Sequence, residues 1–257
     1  ASTLKEFDSI TIESKQITAL TTTSASADLD SYYSTRKFVP AATGYRNSLH
    51  FPATTYSTTQ QGVRNASYTN PDHATHISIS FWLRKDVSDT DFAVITHLQT
   101  GANGASLIIA NRFDDLWLFF DNDPSTSSTK YVNFTGDETD PRHAWNHFTV
   151  VIKKSDLSVA PIVYKNGVSL GSPDNTVGMT GTMGAIGKIS IGDRNSQNGG
   201  FETKGSIQDF AVWNRELDAA DAADLYNEGK WLNPLKFRKI SEVWDWWYLG
   251  NESTFPA

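Results

Sequence analysis

The chain has 257 residues, of which 39% are hydrophobic and 20% are charged, a balance typical of a globular protein. The formal net charge at pH 7 is −7, and Lys and Arg cluster only in the short KFRK stretch at 236–239, so we expect no nucleic-acid partner. No stretch approaches the ~18 consecutive apolar residues of a membrane helix, so we expect no membrane insertion. Cysteine is absent, which excludes disulfides and thiol nucleophiles.

The first 46 residues differ in composition from the rest of the chain. They are rich in Ser and Thr, as in TALTTTSASADLDSYYSTRK, and show no sustained hydrophobic period. Such a segment cannot bury enough apolar surface to fold alone. We therefore expect an extended N-terminal arm over residues 1–46 that orders against another surface.

From Asn47 onward, short apolar runs are separated by Gly, Asn, Asp and Pro about every ten residues, which predicts an antiparallel sandwich or barrel. In ISISFWLRK, Ile77, Ile79, Phe81 and Leu83 share one face, which is the alternation of a half-buried strand. The further predicted strands are FAVITHLQ, SLIIANRF, LWLFFDN, KYVNFTG, WNHFTVVIKK, PIVYKNGVSL, KISIGDR and GSIQDFAVWN.

One turn and one helix are also predicted. Asn166-Gly167 lies between two alternating runs and favours a type I′ hairpin. In DAADAADLYNEGK, Asp218 is a suitable N-cap and Gly229 a suitable left-handed end for a short helix. We expect its buried side to consist of Leu217, Ala220, Leu225 and Tyr226.

The order of SISFWLR, AWNHFTVVI, VYKNGVSLG, ISIGDR and GSIQDFAVWNRELDAADAADLYNEGK resembles the laminin-G-like, concanavalin-A-like jelly-roll family. The resemblance covers residues 47–230, and its closing segment is the most specific part. It implies an all-β fold, a two-sheet antiparallel jelly-roll sandwich over residues 47–232 with one short C-terminal helix. Trp82 and Trp145 are then expected to wedge between the two sheets.

The C-terminal segment, residues 233–257, contains SEVWDWWYLGNESTFPA. It is similar to the Trp-rich linker that follows such domains in virion-associated proteins of tailed phages, especially marine ones. This resemblance implies that the segment packs on a neighbouring domain or subunit. The expected assembly residues are Trp244, Trp246, Trp247 and Tyr248.

Catalytic signatures are incomplete. Glucanases of the same jelly-roll class carry Glu-x-Asp-x-x-Glu on a strand, whereas EFDSIT has Thr11 in the last position and ETDPRH is interrupted by Pro141. Neither Gly-x-Ser-x-Gly nor His-Glu-x-x-His occurs. We therefore expect no enzymatic activity, and a glycoside hydrolase is the least favoured interpretation.

Calcium is the cofactor that the resemblance implies. Asp121 and Asp123 lie in the loop DNDPSTSS, and Asp193 lies in GDRNSQNGGFE. Asp209, in SIQDF, matches the acidic residue of the family's final strand. Carboxylates on loops suit a hard cation, although solvated turn carboxylates are the alternative interpretation.

Glycan binding combines an exposed aromatic face with short polar side chains. The loop RNSQNGG, residues 194–200, is the expected place of polar recognition through Arg194, Asn195, Gln197 and Asn198. The aromatic candidates are Trp117, Trp213 and Trp231, the alternative being that a strand tryptophan belongs to the core.

The sequence thus predicts a non-catalytic structural or decoration protein of a phage virion, on the capsid or tail, that binds host-surface glycans. Its expected partners are other virion subunits, copies of itself and surface polysaccharide. The alternative is a carbohydrate-binding or adhesion module of a secreted or surface protein, located outside the cell.

Overall fold

The computed structural model describes residues 38–40, 47–51, 63–65, 75–86, 92–100, 106–112, 115–121, 129–135, 144–194, 203–230, 232, 237–239 and 243–247. For 38–40, 47, 49, 50, 63–65 and 244–247 it describes the backbone alone. Within these residues, neither of the two helical segments has the length and hydrophobicity that crossing a bilayer requires.

The described strands form two antiparallel sheets. The eight-stranded sheet has the order β1 (Phe38–Pro40), β2 (Asn47–Phe51), β14 (Gly205–Trp213), β4 (His76–Lys85), β9 (Trp145–Lys153), β10 (Ile162–Lys165) and β11 (Val168–Ser169), with β15 (Val243–Trp247) also paired to β14. The seven-stranded sheet has the order β12 (Asn175–Val177), β8 (Tyr131–Phe134), β7 (Asp115–Phe119), β6 (Leu107–Arg112), β5 (Ala93–Thr100), β13 (Ile186–Ile191) and β3 (Val63–Asn65). The predicted all-β sandwich is confirmed.

The main core lies between the two sheets and is filled by alternate residues of their strands. Ile77, Ile79, Phe81 and Leu83 of β4 are all buried there, as their alternation predicts. The Phe81 ring stacks on that of Phe148, with centroids 5.6 Å apart. Each predicted strand run is present, and the Asn166-Gly167 hairpin is confirmed by φ angles of 51° and 77°.

Short strands were not predicted. The structure adds β1, β2, β3, β12 and β15 to the strands named from the sequence. Three of these are only three residues long, too short to show a period of two. They form by pairing with the edge of a neighbouring strand of the sheet, so they depend on tertiary structure and not on a local pattern.

The helix α1 (Ala219–Tyr226) begins as predicted, since Asp218 accepts the Asp221 N–H in a capping box. Two details of the prediction were wrong. Ala220 is exposed and Ala222 is buried instead, because the buried face follows Leu217, Ala222 and Leu225. The helix also ends at Asn227, whose φ is 46°, before a 3-10 turn over Asn227–Gly229. Asn tolerates the left-handed region, so Gly229 was not needed to end the helix.

Trp82 and Trp145 do not lie between the sheets, which corrects the expectation from the resemblance. Trp82 alternates with the core residue Phe81, and Trp145 is the register partner of Arg84, so both lie on the outer face of the eight-stranded sheet. The Trp82 ring lies 5.8 Å from that of Tyr226 on α1 and is 6% exposed. Its burial therefore comes from the helix and not from the opposite sheet.

The two terminal segments are described only in part. Of residues 1–46, the structure describes 38–40, which pair with β2. Of residues 233–257, it describes 237–239 and β15, which packs on β14 of the same chain. Tyr248 and the side chains of Trp244, Trp246 and Trp247 lie outside the described residues. The arm, the boundaries at 46 and 232, and the assembly role of these residues stay predictions.

Candidate functional site

Aromatic side chains line the outer face of the seven-stranded sheet. In β7, Leu116 and Leu118 point into the core, so Trp117 and Phe119 point outward. On β8, Tyr131 takes an outward position in the same way, and Phe92 joins the cluster just before β5. The alternation of two neighbouring strands thus places three rings on one surface, and Phe92 adds a fourth.

The four rings contact one another. The ring centroids of Trp117 and Tyr131 are 5.1 Å apart, and those of Trp117 and Phe119 are 5.7 Å apart in a stacked arrangement. Phe92 meets Phe119 edge-on at 4.9 Å. Phe92 and Phe119 are buried, whereas Trp117 and Tyr131 are half-buried. The accessible part of the cluster is therefore the pair Trp117 and Tyr131.

The cation Arg112, on the neighbouring strand β6, contacts two rings of this cluster. The guanidinium of Arg112 lies 4.4 Å from the Phe92 centroid and 5.9 Å from the Trp117 centroid. Cation-π attraction of this kind is stronger where water is excluded. Arg112 is also the register partner of Asp115 on the neighbouring strand. The orientation of Trp117 is therefore restrained by a charged group as well as by its aromatic neighbours.

An amide pair lies beside the rings. Asn175 of β12, Asn133 of β8 and Trp117 of β7 are register partners in one row across the sheet. The Asn175 Nδ2 donates to the Asn133 Oδ1 at 2.9 Å. Asn133 is buried and Asn175 is exposed, so the outer amide faces solvent.

The next row across the sheet is apolar and contains Val177, Tyr131 and Phe119. Val177 is 37% exposed. We use the name aromatic-amide rim for the accessible residues of the two rows, Trp117, Tyr131, Asn175 and Val177, together with the buried Asn133 that bonds Asn175.

The edge strand β12 is held in place by Asp174. Its backbone N–H donates to the Asn133 carbonyl at 2.9 Å, and its carboxylate accepts the Thr135 N–H at 2.6 Å. This backbone hydrogen bond from Thr135 lowers the pKa of the exposed Asp174 carboxyl. Asp174 therefore stays ionised at neutral pH and fastens the strand that carries Asn175 and Val177.

The three tryptophans considered for sugar stacking have different surroundings. Trp213 is fully buried, and its indole Nε1 donates to the Ser80 Oγ at 3.0 Å, so it belongs to the core. Trp231 lies outside the described residues. Trp117 is the one that the structure places at an accessible surface.

Tyr131, Asn133 and Asn175 were not predicted as site residues from the sequence. The alternation in LWLFF and KYVNF does mark Trp117, Tyr131 and Asn133 as sharing one side of their strands. It does not show that β8 pairs with both β7 and β12, which places Trp117, Asn133 and Asn175 in one row and Tyr131 in the next.

The expected calcium ligands are not brought together by the described residues. The Asp121 carboxylate accepts the Thr129 N–H at 2.9 Å, and the buried Asp193 carboxylate accepts the Arg194 N–H at 2.6 Å. Asp209 is a buried residue of β14 in the other sheet, and Asp123 lies outside the described residues. Among the residues described, no group of three or more His, Asp or Glu is arranged to hold a metal ion. Calcium binding stays a prediction.

The polar loop at 194–200 is described only at Arg194, which is half-buried. Asn195, Gln197 and Asn198 lie outside the described residues. Recognition of a glycan by this loop stays a prediction.

Comparison with solved structures finds chains that are similar to this one. The binding domain of botulinum neurotoxin DC, solved in complex with rat synaptotagmin II, aligns at a TM-score of 0.51 and 18% identity, covering 77% of this chain and 46% of that one. The heptameric SAP-like pentraxin from Limulus polyphemus aligns at 0.48 and 20% identity over 67% and 80% of the two chains. Domain 4 of the arabinanase AbnA from Geobacillus stearothermophilus, in complex with arabinotriose, aligns at 0.49 and 17% identity over 75% and 81%.

Sequence comparison identifies the family directly. No curated protein matches the chain. A laminin G profile, described as the concanavalin A-like lectin/glucanases superfamily, matches residues 55–223, which is more than half of the chain and includes most of both sheets. The resemblance seen in the strand order is thereby confirmed, and the chain belongs to the concanavalin A-like lectin/glucanases superfamily.

Proposed function

We propose that this chain is a non-catalytic carbohydrate-binding module and that its binding surface is the aromatic-amide rim. One observation supports the proposal above all. Two half-buried rings, Trp117 and Tyr131, lie 5.1 Å apart, and the exposed Asn175 lies in the same row of the sheet as Trp117.

This arrangement suits the two sides of a sugar ring. The face of a pyranose that carries C–H groups packs on an aromatic ring, and its hydroxyls need donors and acceptors at the edge. Trp117 and Tyr131 supply the apolar contact, and Val177 extends it toward the edge strand. The Asn175 amide supplies both a donor and an acceptor.

The ligand that fits best is a neutral glycan. The exposed polar group of the aromatic-amide rim is an uncharged amide, and the chain carries a formal net charge of −7. Acidic polysaccharides would be repelled by that charge at low ionic strength.

The outward positions of this sheet also favour binding over hydrolysis. Glycosidases place two carboxyl groups on either side of the scissile bond. On the described outward positions of the seven-stranded sheet the carboxylate is Asp115, which is the register partner of Arg112. A second carboxylate is not among those positions.

The test is binding of a panel of neutral polysaccharides by affinity electrophoresis, followed by calorimetry on the strongest ligand. We expect Trp117→Ala and Tyr131→Ala each to weaken binding by about tenfold or more, since each removes an aromatic contact. Trp145→Ala is the matched control, because Trp145 is a half-buried tryptophan on the other sheet. Equal affinities for the wild type and both rim variants would refute the assignment of the site.

Hydrolysis is tested on the same panel by measuring reducing ends over a day. We expect none above the level of heat-denatured protein. If the wild type releases sugar steadily and Trp117→Ala does not, the chain is a glycoside hydrolase and not a binding module. The effect of calcium is measured in parallel by thermal denaturation with calcium and with EDTA, where a higher Tm with calcium supports the predicted ion.

We further propose that the module is displayed on a phage virion, on the capsid or tail, where it binds host-surface glycans. The support is the similarity of SEVWDWWYLGNESTFPA to the Trp-rich linkers of virion-associated proteins. The alternative setting is a secreted or surface adhesion protein. Immunogold labelling of purified particles with an antibody to the chain distinguishes them, because only the virion setting gives particle-bound label.

A further inference from the structure

The accessible part of Trp117 is hydrocarbon. Its side chain is half-buried, but its indole Nε1 is sealed from solvent and has no hydrogen-bond partner in the described part of the chain. An indole held in this way offers its π face and C–H groups to a ligand and no donor. The hydrogen bonds that distinguish one neutral sugar from another are therefore left to the polar groups beside it. The amides of Asn133 and Asn175 follow Trp117 in the same row of the sheet.

This amide pair has open hydrogen-bonding groups. The one bond within it runs from the Asn175 Nδ2 to the Asn133 Oδ1. Among the described residues, neither the Asn133 nitrogen nor the Asn175 oxygen has a protein partner, and the Asn133 nitrogen is not sealed from solvent. The pair therefore presents one open donor and one open acceptor side by side. The same holds if the two amides exchange their donor and acceptor roles, because each carries both groups.

An exposed aliphatic side chain lies beside the amide pair. Val177 follows Asn175 by two residues on β12, so both side chains lie on the same face of the strand. Their Cα atoms are separated by about 6.7 Å along a strand of ordinary geometry. Val177 is 37% exposed, and its register partner is Tyr131. A ligand group that bonds the amide pair and continues along the strand therefore meets a branched apolar surface.

The strand that carries these two side chains is fixed at both ends. Asp174 holds its start through the backbone of Asn133 and Thr135. At its other end Gly178 has φ 60° and packs so closely on the Thr129 carbonyl that a Cβ there would overlap it. The amide and the aliphatic surface are therefore in place before a ligand arrives, which limits the entropy lost on binding.

We propose that the glycan bound at the aromatic-amide rim carries an acetamido group, as an N-acetylated hexosamine does. An acetamido group has a carbonyl acceptor, an N–H donor and a methyl group. These match the open donor and open acceptor of the amide pair and the exposed Val177. Two neighbouring hydroxyls would also bond the amides, but they would leave Val177 in water. The inference rests on the proposed function, since it takes the rim as the glycan-binding surface.

The test compares ligands that differ only in the acetamido group. Tri-N-acetylchitotriose and cellotriose share one backbone, and the methyl glycosides of N-acetylgalactosamine and galactose form a second pair. Each ligand is titrated into the full-length protein by calorimetry. We expect the N-acetylated member of at least one pair to bind about tenfold more tightly, because it adds amide hydrogen bonds and a buried methyl group.

Val177→Thr tests the methyl contact without changing the shape of the side chain. Threonine is also β-branched but replaces one methyl group by a hydroxyl. We expect this variant to lower the preference for the N-acetylated ligand several-fold and to leave the affinity for its hydroxyl counterpart unchanged. Val168→Thr is the matched control, because Val168 is an exposed valine on the edge strand β11 of the other sheet. It should leave the preference as in the wild type.

The outcomes separate this inference from the proposed function. If neutral glycans bind in a Trp117-dependent way without preference for the N-acetylated member of either pair, the acetamido inference is overturned and the binding module stands. A preference that Val177→Thr leaves unchanged also overturns it, because the methyl group then lies elsewhere. If no glycan binding depends on Trp117 or Tyr131, both proposals are overturned.

Discussion

The outer faces of the two sheets carry tryptophan in equivalent positions but differ in what covers them. Trp213, on the eight-stranded sheet, is fully buried beneath α1 and Phe237. Trp117, on the seven-stranded sheet, is half-buried at the aromatic-amide rim. An outward strand position becomes core only when a later segment packs on it. The covered face therefore contributes to stability, and the open face is available to a ligand.

Polar residues show the same contrast. On the covered face, Ser78 donates to the Arg215 carbonyl and accepts the Leu217 N–H, and Ser80 accepts the Trp213 indole N–H. These hydroxyls satisfy the chain that leads into α1. On the open face, Asn175 bonds Asn133 and keeps its outer side in solvent. Similar polar residues are structural in one place and available for recognition in the other.

The largest expected effect on stability comes from replacing each of the two tryptophans by alanine in separate variants. Trp213→Ala should lower the free energy of unfolding by about 3–5 kcal/mol, since it removes a fully buried ring. Trp117→Ala should cost less, about 1–2 kcal/mol, because its ring is half-buried. Urea denaturation measures both. Equal losses would mean that the two faces are equally part of the core.

Acid should weaken the covered face selectively. Burial lowers the pKa of His147, on β9 beside Trp82, from 6.5 to about 3. Between these two pKa values the unfolded chain binds a proton that the folded chain does not. The contribution of the neutral His147 to the free energy of unfolding is therefore complete above pH 6.5 and falls as the pH drops toward 3. The loss at pH 5 is about 2 kcal/mol.

Urea denaturation at pH 7 and pH 5 checks this, with His147→Gln expected to remove the difference. Carboxyls whose pKa is lowered below the ordinary 3.8, such as Asp174 and Asp218, are ionised at both pH values and do not contribute to the difference. Wild-type stability that is the same at both pH values would contradict the assignment to His147.

Substitutions at two glycines distinguish steric contact with the helix α1 from the cost of a left-handed backbone. Gly167 has φ 77°, and a Cβ there would lie 3.0 Å from the Ala223 Cα of α1. Gly171 has φ 83° with no atom within 4 Å of such a Cβ. Both Gly→Ala changes should cost about 1 kcal/mol from the left-handed conformation, and Gly167→Ala should cost up to about 1 kcal/mol more. Equal Tm shifts for the two variants would show that the hairpin does not pack tightly against the helix.

The smallest expected effect is at the open edge. Asn175→Ala removes the hydrogen bond to Asn133 and should lower the free energy of unfolding by about 1 kcal/mol or less. It should weaken glycan binding by a few-fold, since one amide is lost from the aromatic-amide rim. Calorimetry on the ligand found with the wild type measures this. Unchanged affinity would limit the binding surface to the aromatic rings.

Much of the fold was predictable from local patterns. Alternation in ISISFWLRK and the related runs identified the strands, Asn166-Gly167 identified the hairpin, and Asp218 identified the start of the helix. These features depend on side-chain period and backbone preference, which are local. The candidate site was predicted only at Trp117, because Asn133 and Asn175 become site residues through pairing between strands 42 positions apart in the chain.

Local sequence patterns specify which side of each strand is apolar, where the chain turns and where the helix starts, since these follow from contacts within a few residues. Which outward face is covered depends on tertiary packing. That outcome depends on α1, which follows β14 closely and packs back on it, and on Phe237 and β15, which return to β14 from more than twenty residues further along the chain. It is why Trp213 is core, Trp82 lies under the helix and Trp117 remains at an accessible surface.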